Sequence, residues 1–145
     1  MHTLQAGSWR ELSEAARAVR TAVFIDEQGI PVAEEWDADD GDATHVVAFD
    51  SAGLPVATGR LIHVGQTRGH AKIGRMAVMR PSRGAGLGAQ VLLALLEQAR
   101  SQHIHEISLH AQLTAQAFYA RHGFQAKGPV FDEVDIPHQS MTLTL

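Results

Sequence analysis

The chain has no cysteine, so disulfides and thiol nucleophiles are excluded. Tyrosine is almost as scarce: Tyr119 is the one phenol available for acid chemistry. Basic runs are missing and the formal net charge is −4, which argues against nucleic acid as the main partner. No apolar run approaches the ~20 residues that span a bilayer, so no membrane partner is expected. The N-terminal stretch carries Glu11 and Glu14 and lacks an unbroken apolar region. It does not read as a signal peptide, and the expected location is the cytoplasm. What remains is ordinary: 145 residues, 45% apolar and 19% charged. That composition supports one hydrophobic core, read as a single domain over 1–145.

Local patterns give an order of elements. Ser8-Trp9-Arg10-Glu11 has the form of a capping box. Leu12, Ala15, Ala16, Val19 and Val23 follow at helical spacing, until Gly29 and Pro31 break the pattern. An acidic loop comes next, with Glu34, Glu35, Asp37, Asp39, Asp40 and Asp42. Thr44 to Phe49 and Pro55 to Val64 read as a hairpin around Asp50-Ser51-Ala52-Gly53. Ala71 to Met79 is a further strand, stopped by Pro81. After a glycine-rich turn, Leu87, Val91, Leu92, Leu95, Leu96 and Ala99 form the apolar stripe of a helix. Glu106 to His110 reads as a short strand, and Thr114 to His122 as a helix ended by Gly123. Phe124 to Lys127 and Gln139 to Leu145 read as two last strands. The resulting order, β-α-(α)-β-β-β-α-β-α-β-β, predicts a mixed sheet with helices on its faces, an α/β or α+β fold.

The chemical signal is a strand, a glycine turn and a helix: Ile73-Gly74-Arg75-Met76-Ala77-Val78-Met79, then Arg83-Gly84-Ala85-Gly86-Leu87-Gly88. Such a turn bares backbone N–H groups at a helix N-terminus, which suits an anion such as a pyrophosphate. A plain turn has the same letters. A nucleotide-triphosphate loop would end in Gly-Lys-Ser/Thr, whereas Gly88-Ala89-Gln90 stands here. A dinucleotide fold would need G-x-G-x-x-G, and the spacing here is R-x-x-G-x-G.

That R-x-x-G-x-G turn resembles the acyl-CoA pyrophosphate loop of the GNAT superfamily. Ala117-Phe118-Tyr119-Ala120-Arg121-His122-Gly123-Phe124 matches the family's tyrosine-bearing helix and following Gly-Phe pair. Further segments are similar to the ElaA-like branch. They are Arg20 with Val23-Phe24-Ile25-Asp26-Glu27-Gln28, then Glu35, Asp37 and Asp40, Thr44-His45, His110-Ala111-Gln112, and Ile136-Pro137-His138 with Met141. The resemblance spans nearly the whole chain. It implies a mostly antiparallel sheet of about seven strands, splayed in the middle, with helices on both faces. It also implies acetyl-CoA as co-substrate, an N-acetyltransferase activity and an amine acceptor, small molecule or peptide, without naming the acceptor.

The resemblance assigns cofactor contacts to Met76, Ala77 and Val78, whose backbone would pair with the pantetheine arm as an added strand. It assigns the diphosphate to Arg83, Gly84, Ala85, Gly86, Leu87 and Gly88. Acyl transfer needs a neutral amine, a stabilised carbonyl oxygen and a protonated leaving thiolate. Tyr119 is the acid the resemblance implies; its alternative is packing against Phe124. Many relatives place a glutamate on the strand before the loop, but Gly74 and Arg75 stand there. The candidates for the base are therefore Glu27, Glu35, Glu133 and His138, with Glu27 preferred over its plainer reading as a salt bridge or a helix-end hydrogen bond. Arg75 is expected on one strand face with Ile73, Ala77 and Met79. There it could grip a substrate carboxylate or pair with the acidic loop. His138 is a second substrate-side candidate. Gln112 reads either as a contact to the CoA arm or as a helix cap. The acidic loop could attract a cationic acceptor or simply be solvated. His103-x-His105 lacks a close third ligand, so no metal is expected. A non-catalytic acyl-CoA sensor, an unrelated phosphate-binding domain and a homodimer stay open at this point.

Overall fold

Seven strands build one sheet in the order β1-β2-β3-β4-β5-β7-β6. The structure is a computed structural model that describes residues 2–64 and 69–145. The strands are β1 Thr3–Gly7, β2 Thr44–Phe49, β3 Pro55–His63, β4 His70–Val78, β5 Glu106–Gln112, β6 Gln125–Glu133 and β7 Ile136–Thr144. All neighbours are antiparallel except β4 and β5, which run parallel. The α/β expectation and the splay are both present. β4 and β5 pair only from His70↔Glu106 to Ile73↔Leu109 and then part.

Helices cover both faces. Helix α1, Trp9–Arg20, starts on the expected capping box: the Ser8 hydroxyl accepts the Glu11 N–H at 3.3 Å, and Glu11 Oε1 accepts the Ser8 N–H at 3.0 Å. Its Leu12 and Ala16 pack on Val47. Helix α3, Leu87–Ser101, packs Leu87, Val91, Leu92 and Leu95 against Val46, Ala48, Leu61 and Ile73 on the opposite face. Val46 and Val47 pointing to opposite helices is the period-2 alternation of a strand buried on both sides.

Several irregularities escaped the sequence reading. After Arg20 the helix widens into a π-helical segment, Thr21–Glu27, whose Val23 and Phe24 are buried. The acidic stretch also holds structure: α2, Val32–Glu35, and a 3-10 turn, Ala38–Asp42. The last strands are nine residues each, longer than expected, because Gly128 (φ +82°) lets β6 pass Pro129 through a register shift between Ala126 and Val130. The helix expected over Thr114–His122 is a 3-10 turn, Leu113–Ala115, followed by α4, Gln116–Arg121. Gly123 (φ +94°) ends it as expected.

The acidic loop is only partly solvated. Two of its carboxylates, Glu35 and Asp40, are buried in an ionic network that the exposed Asp37 joins from outside. Arg20 Nε donates to Glu35 at 2.8 Å and Nη1 to Asp40 at 2.7 Å. Arg60 bridges Asp37 at 2.7 Å and Asp40 at 2.8 Å. Arg60 holds the Asp37 carboxyl down at about 2, against the opposing cost of burial. The Arg20 guanidinium lies between Trp9 and Trp36, 5.6 and 4.8 Å from their ring centres. Glu34, Asp39 and Asp42, exposed like Asp37, make no salt bridge among the described residues.

Candidate active site

The strand β4 makes the site by failing to alternate. Thr58 pairs with Ala77, and Arg60 with Gly74, so Gly59 faces two residues, Arg75 and Met76. This is a bulge, and Arg75 within it takes a left-handed φ of +52°. The expected common face for Ile73, Arg75 and Ala77 is thereby corrected. Ile73 packs in the α3 core, whereas Ala77 packs with Val19, Val23 and Phe24 near α1. A Cβ on Gly59 would lie 2.6 Å from Met76 Sδ and 2.8 Å from Leu95, so glycine gives the bulge its room.

Beyond the bulge β4 has no strand partner on its β5 side. The Met79 N–H donates to Val56 across the sheet at 2.9 Å. By alternation the Val78 N–H and C=O face the other way, into the gap left by β5. A cavity of about 830 Å³ opens there. Its walls include Met76, Ala77 and Val78 of β4, His110 and Gln112 of β5, Arg83, Gly88 and Tyr119.

The glycine turn sits at one end. Gly86 (φ +78°) is the residue before α3, and a Cβ on Gly84 or Gly86 would meet nothing within 4 Å. The first helical bond reaching back to the turn runs from the Gln90 N–H to the Gly86 C=O at 3.1 Å. The amides of Leu87, Gly88 and Ala89 are thus the orphan donors of a helix start. Leu87 itself is buried in the core, and Ala85 is exposed. No side chain plugs the turn at Gly84 or Gly86, and the cleft opens beside it; an anionic diphosphate fits these donors.

Comparison with known proteins decides the lineage. Residues 14–145 match the acetyltransferase (GNAT) domain family. A Bacillus subtilis (strain 168) acetyltransferase is 35% identical over 127 residues, covering 86% of this chain and 84% of that protein. The chain belongs to the GNAT acetyltransferase family. Among solved structures, Escherichia coli ElaA superposes with a TM-score of 0.87 at 30% identity, covering 98% of this chain and 99% of that one. An acyl-CoA N-acyltransferase from Pseudomonas aeruginosa gives 0.86 at 34%, with the same coverage. The chain is an acyltransferase, and the ElaA-like branch is supported.

On this GNAT frame the candidate residues separate. The Tyr119 ring packs edge-on against Phe118 and Phe124, centroids 5.0 and 5.8 Å apart, and lines the cavity. Packing and an acid role are therefore compatible. Burial pushes the Tyr119 phenol up to about 12, so it stays protonated throughout the working pH range. Gln112 is the last residue of β5 and stands at the N-cap of the 3-10 turn, but its side chain makes no capping bond; its Nε2 donates to Gln28 at 3.0 Å. Arg75 contacts Glu35 and Asp37 at 3.2 and 3.1 Å, the structural pairing rather than a free grip. His138 is buried; its Nδ1 donates to the Ile136 C=O at 2.7 Å.

Glu27 does not stand as a free base. Both its oxygens accept from Arg83, at 2.8 and 2.7 Å, and Arg80 lies 3.2 Å away. The hydrogen bonds from Arg83 hold its carboxyl down at about 2. Arg83 Nε also donates to the Val78 C=O at 2.9 Å. Glu27 thus arranges the arginine of the glycine turn, the salt-bridge reading set aside earlier. Glu35 is likewise engaged with Arg20. Glu133 faces the cavity with His110, a residue the sequence reading named only for its resemblance. Its signal was present: Ile107, Leu109 and Ala111 are buried, so His110 and Gln112 fall on the other face. Among the described residues no group of three or more metal-ligating side chains occurs.

Proposed function

We propose that this GNAT protein moves the acetyl group of acetyl-CoA to the primary amine of a small-molecule or peptide acceptor. The reading rests on one observation above all: Gly88, at the start of α3, lines the same cleft as Met76–Val78, the stretch of β4 that β5 does not pair, and a Cβ on Gly84 or Gly86 in the turn would meet nothing within 4 Å. Diphosphate at the turn and pantetheine along Met76–Val78 would bring the thioester toward the bulge, by strand addition. A backbone N–H of the splayed strand near Val78 would donate to the carbonyl oxygen as charge builds there.

Tyr119 supplies the proton for the leaving sulfur. A thiol of ordinary pKa, ~8.5, is a stronger acid than this phenol. The desolvation that raises Tyr119 also penalises a thiolate formed beside it, which narrows the gap. Tyr119→Phe keeps the packing and removes the donor. We expect kcat to fall about 30-fold while KM for acetyl-CoA moves little. Release of free CoA is the readout, against spermidine, tyramine, benzylamine and a peptide with a free α-amine. CoA binding without turnover on any of these amines would favour an acyl-CoA sensor instead. An unchanged kcat in the variant would remove the acid role.

A further inference from the structure

Four ionisable side chains from four strands converge on the cavity wall: Lys72 of β4, His110 of β5, Glu133 of β6 and His138 of β7. His110 Nδ1 lies 2.9 Å from Glu133 Oε1 and 3.3 Å from Lys72 Nζ. One nitrogen cannot donate to the carboxylate and accept from the ammonium together. The shorter, charge-assisted contact decides: Nδ1 carries the proton and donates to Glu133. Nε2 then holds the lone pair, and no described residue bonds it. Phe131 packs edge-on against the His110 ring, centroids 4.9 Å apart, which fixes its orientation. Lys72 is the counter-charge to Glu133, and His138 Nε2 stands 3.7 Å from the other Glu133 oxygen.

Position adds to orientation. Ile73↔Leu109 is the last pair between β4 and β5, so His110 is the first residue of β5 past the fork. Across the fork lies the bulge at Gly74–Met76. His110 points to the face opposite α3, away from the core that holds Tyr119.

We propose that His110, oriented by Glu133, is the general base that takes the proton from the acceptor amine. This deepens the acetyl-transfer reading and rests on it. An ammonium first loses its extra proton to solvent. As the amine nitrogen bonds to the thioester carbonyl carbon, its N–H proton passes to His110 Nε2. The C–S bond breaks with its electron pair leaving on sulfur, and sulfur takes the Tyr119 proton. The imidazolium then returns a proton through solvent to the tyrosinate, so amine plus acetyl-CoA gives amide plus CoA. Imidazole suits the task because one ring nitrogen can donate to the carboxylate while the other holds a lone pair for the proton. Glu133 is a positioning residue: it fixes the tautomer that leaves Nε2 bare.

Two measurements test this. Imidazole 15N NMR of the whole protein, without acceptor, should show His110 protonated at Nδ1, and Glu133→Ala, which leaves only the Lys72 donor beside Nδ1, should abolish that preference. Kinetics with the fastest of the four amines should show His110→Gln lowering kcat about 50-fold at pH 7. Between pH 7 and pH 10 that loss should shrink to below about fivefold, because hydroxide, about 10³-fold more abundant at pH 10, takes the N–H proton in place of the missing imidazole. Glu133→Gln should show a smaller loss with the same recovery. Nε2-protonated His110, or a His110→Gln enzyme with wild-type kcat and pH profile, overturns the proposal. A loss equal at both pH values overturns it too, as structural damage would give. If wild type turns over none of the amines while the NMR tautomer is as stated, it is the acetyl-transfer reading that fails, and the base role with it.

Discussion

Gly86→Glu should weaken CoA binding more than about 10³-fold, a loss of about 4 kcal/mol. The residue stands immediately before α3 with φ at +78°, and its missing Cβ would point into open space. Nothing in the protein therefore blocks the new side chain, and the space it enters is the space the ligand needs. Two effects add. A non-glycine residue in the left-handed region costs about 1–2 kcal/mol. A carboxylate at the mouth of the turn repels a diphosphate and competes for the amides of residues 87–89. Gly86→Asn separates them, since asparagine tolerates this φ and carries no charge. Its affinity should fall far less. Titration calorimetry reads both directly. Thermal unfolding provides a second check: CoA at 100 times its Kd stabilises wild type by about 2.7 kcal/mol and should leave Gly86→Glu unmoved. Wild-type affinity in Gly86→Glu would mean that the diphosphate lies elsewhere, and the acetyl-transfer reading would lose its anchor.

The turn was legible because its signal is local. Glycine spacing, a preceding strand and a following apolar stripe all lie within 73–99. Helix α1 was legible for the same reason, through Ser8 and Glu11. The β4 bulge was not. Its letters, Gly74-Arg75-Met76, fit ordinary alternation, and the extra residue shows only when β4 is aligned with β3 around Gly59. The π-helical widening at Thr21–Glu27 leaves no spacing signature in so short a run. It nonetheless ends at Glu27, which meets Arg83, 56 positions along the chain. Sequence reasoning offered Glu27 as a free carboxylate because it could not see the arginines that claim it. His110 was hidden in the opposite way. Its partner Glu133 lies on an edge strand expected to stop at Lys127, and the bulge at Gly128 carries that strand on to the cavity.

The acidic loop is the same lesson in energetic form, and Arg20→Met measures it. Arg20 is 1% exposed and touches two carboxylates and two indole rings. Methionine fills much of its volume but removes the charge, leaving Glu35 and Asp40 short of a partner in a dry site. Breaking one side of a buried ion pair costs about 3–5 kcal/mol, and we expect about 4. Asp42→Ala, an exposed change in the same loop, should stay within about 0.5 kcal/mol. The cost should also depend on pH, in a direction the network fixes. Burial already pushes the Glu35 carboxyl above the ordinary glutamate range, and Arg20 opposes it. Without Arg20 that opposition weakens and the folded-state pKa rises further. A group whose folded pKa exceeds its unfolded one binds more protons when folded. Its contribution is fully present below the unfolded value and is lost as pH rises through the folded one. Arg20→Met should therefore be more stable, relative to wild type, at pH 5 than at pH 8. Urea unfolding of both proteins at the two pH values gives the difference. A penalty below about 1 kcal/mol, flat with pH, would mean that the loop is held by Trp9, Trp36 and its backbone, and that the buried charges contribute little to its stability.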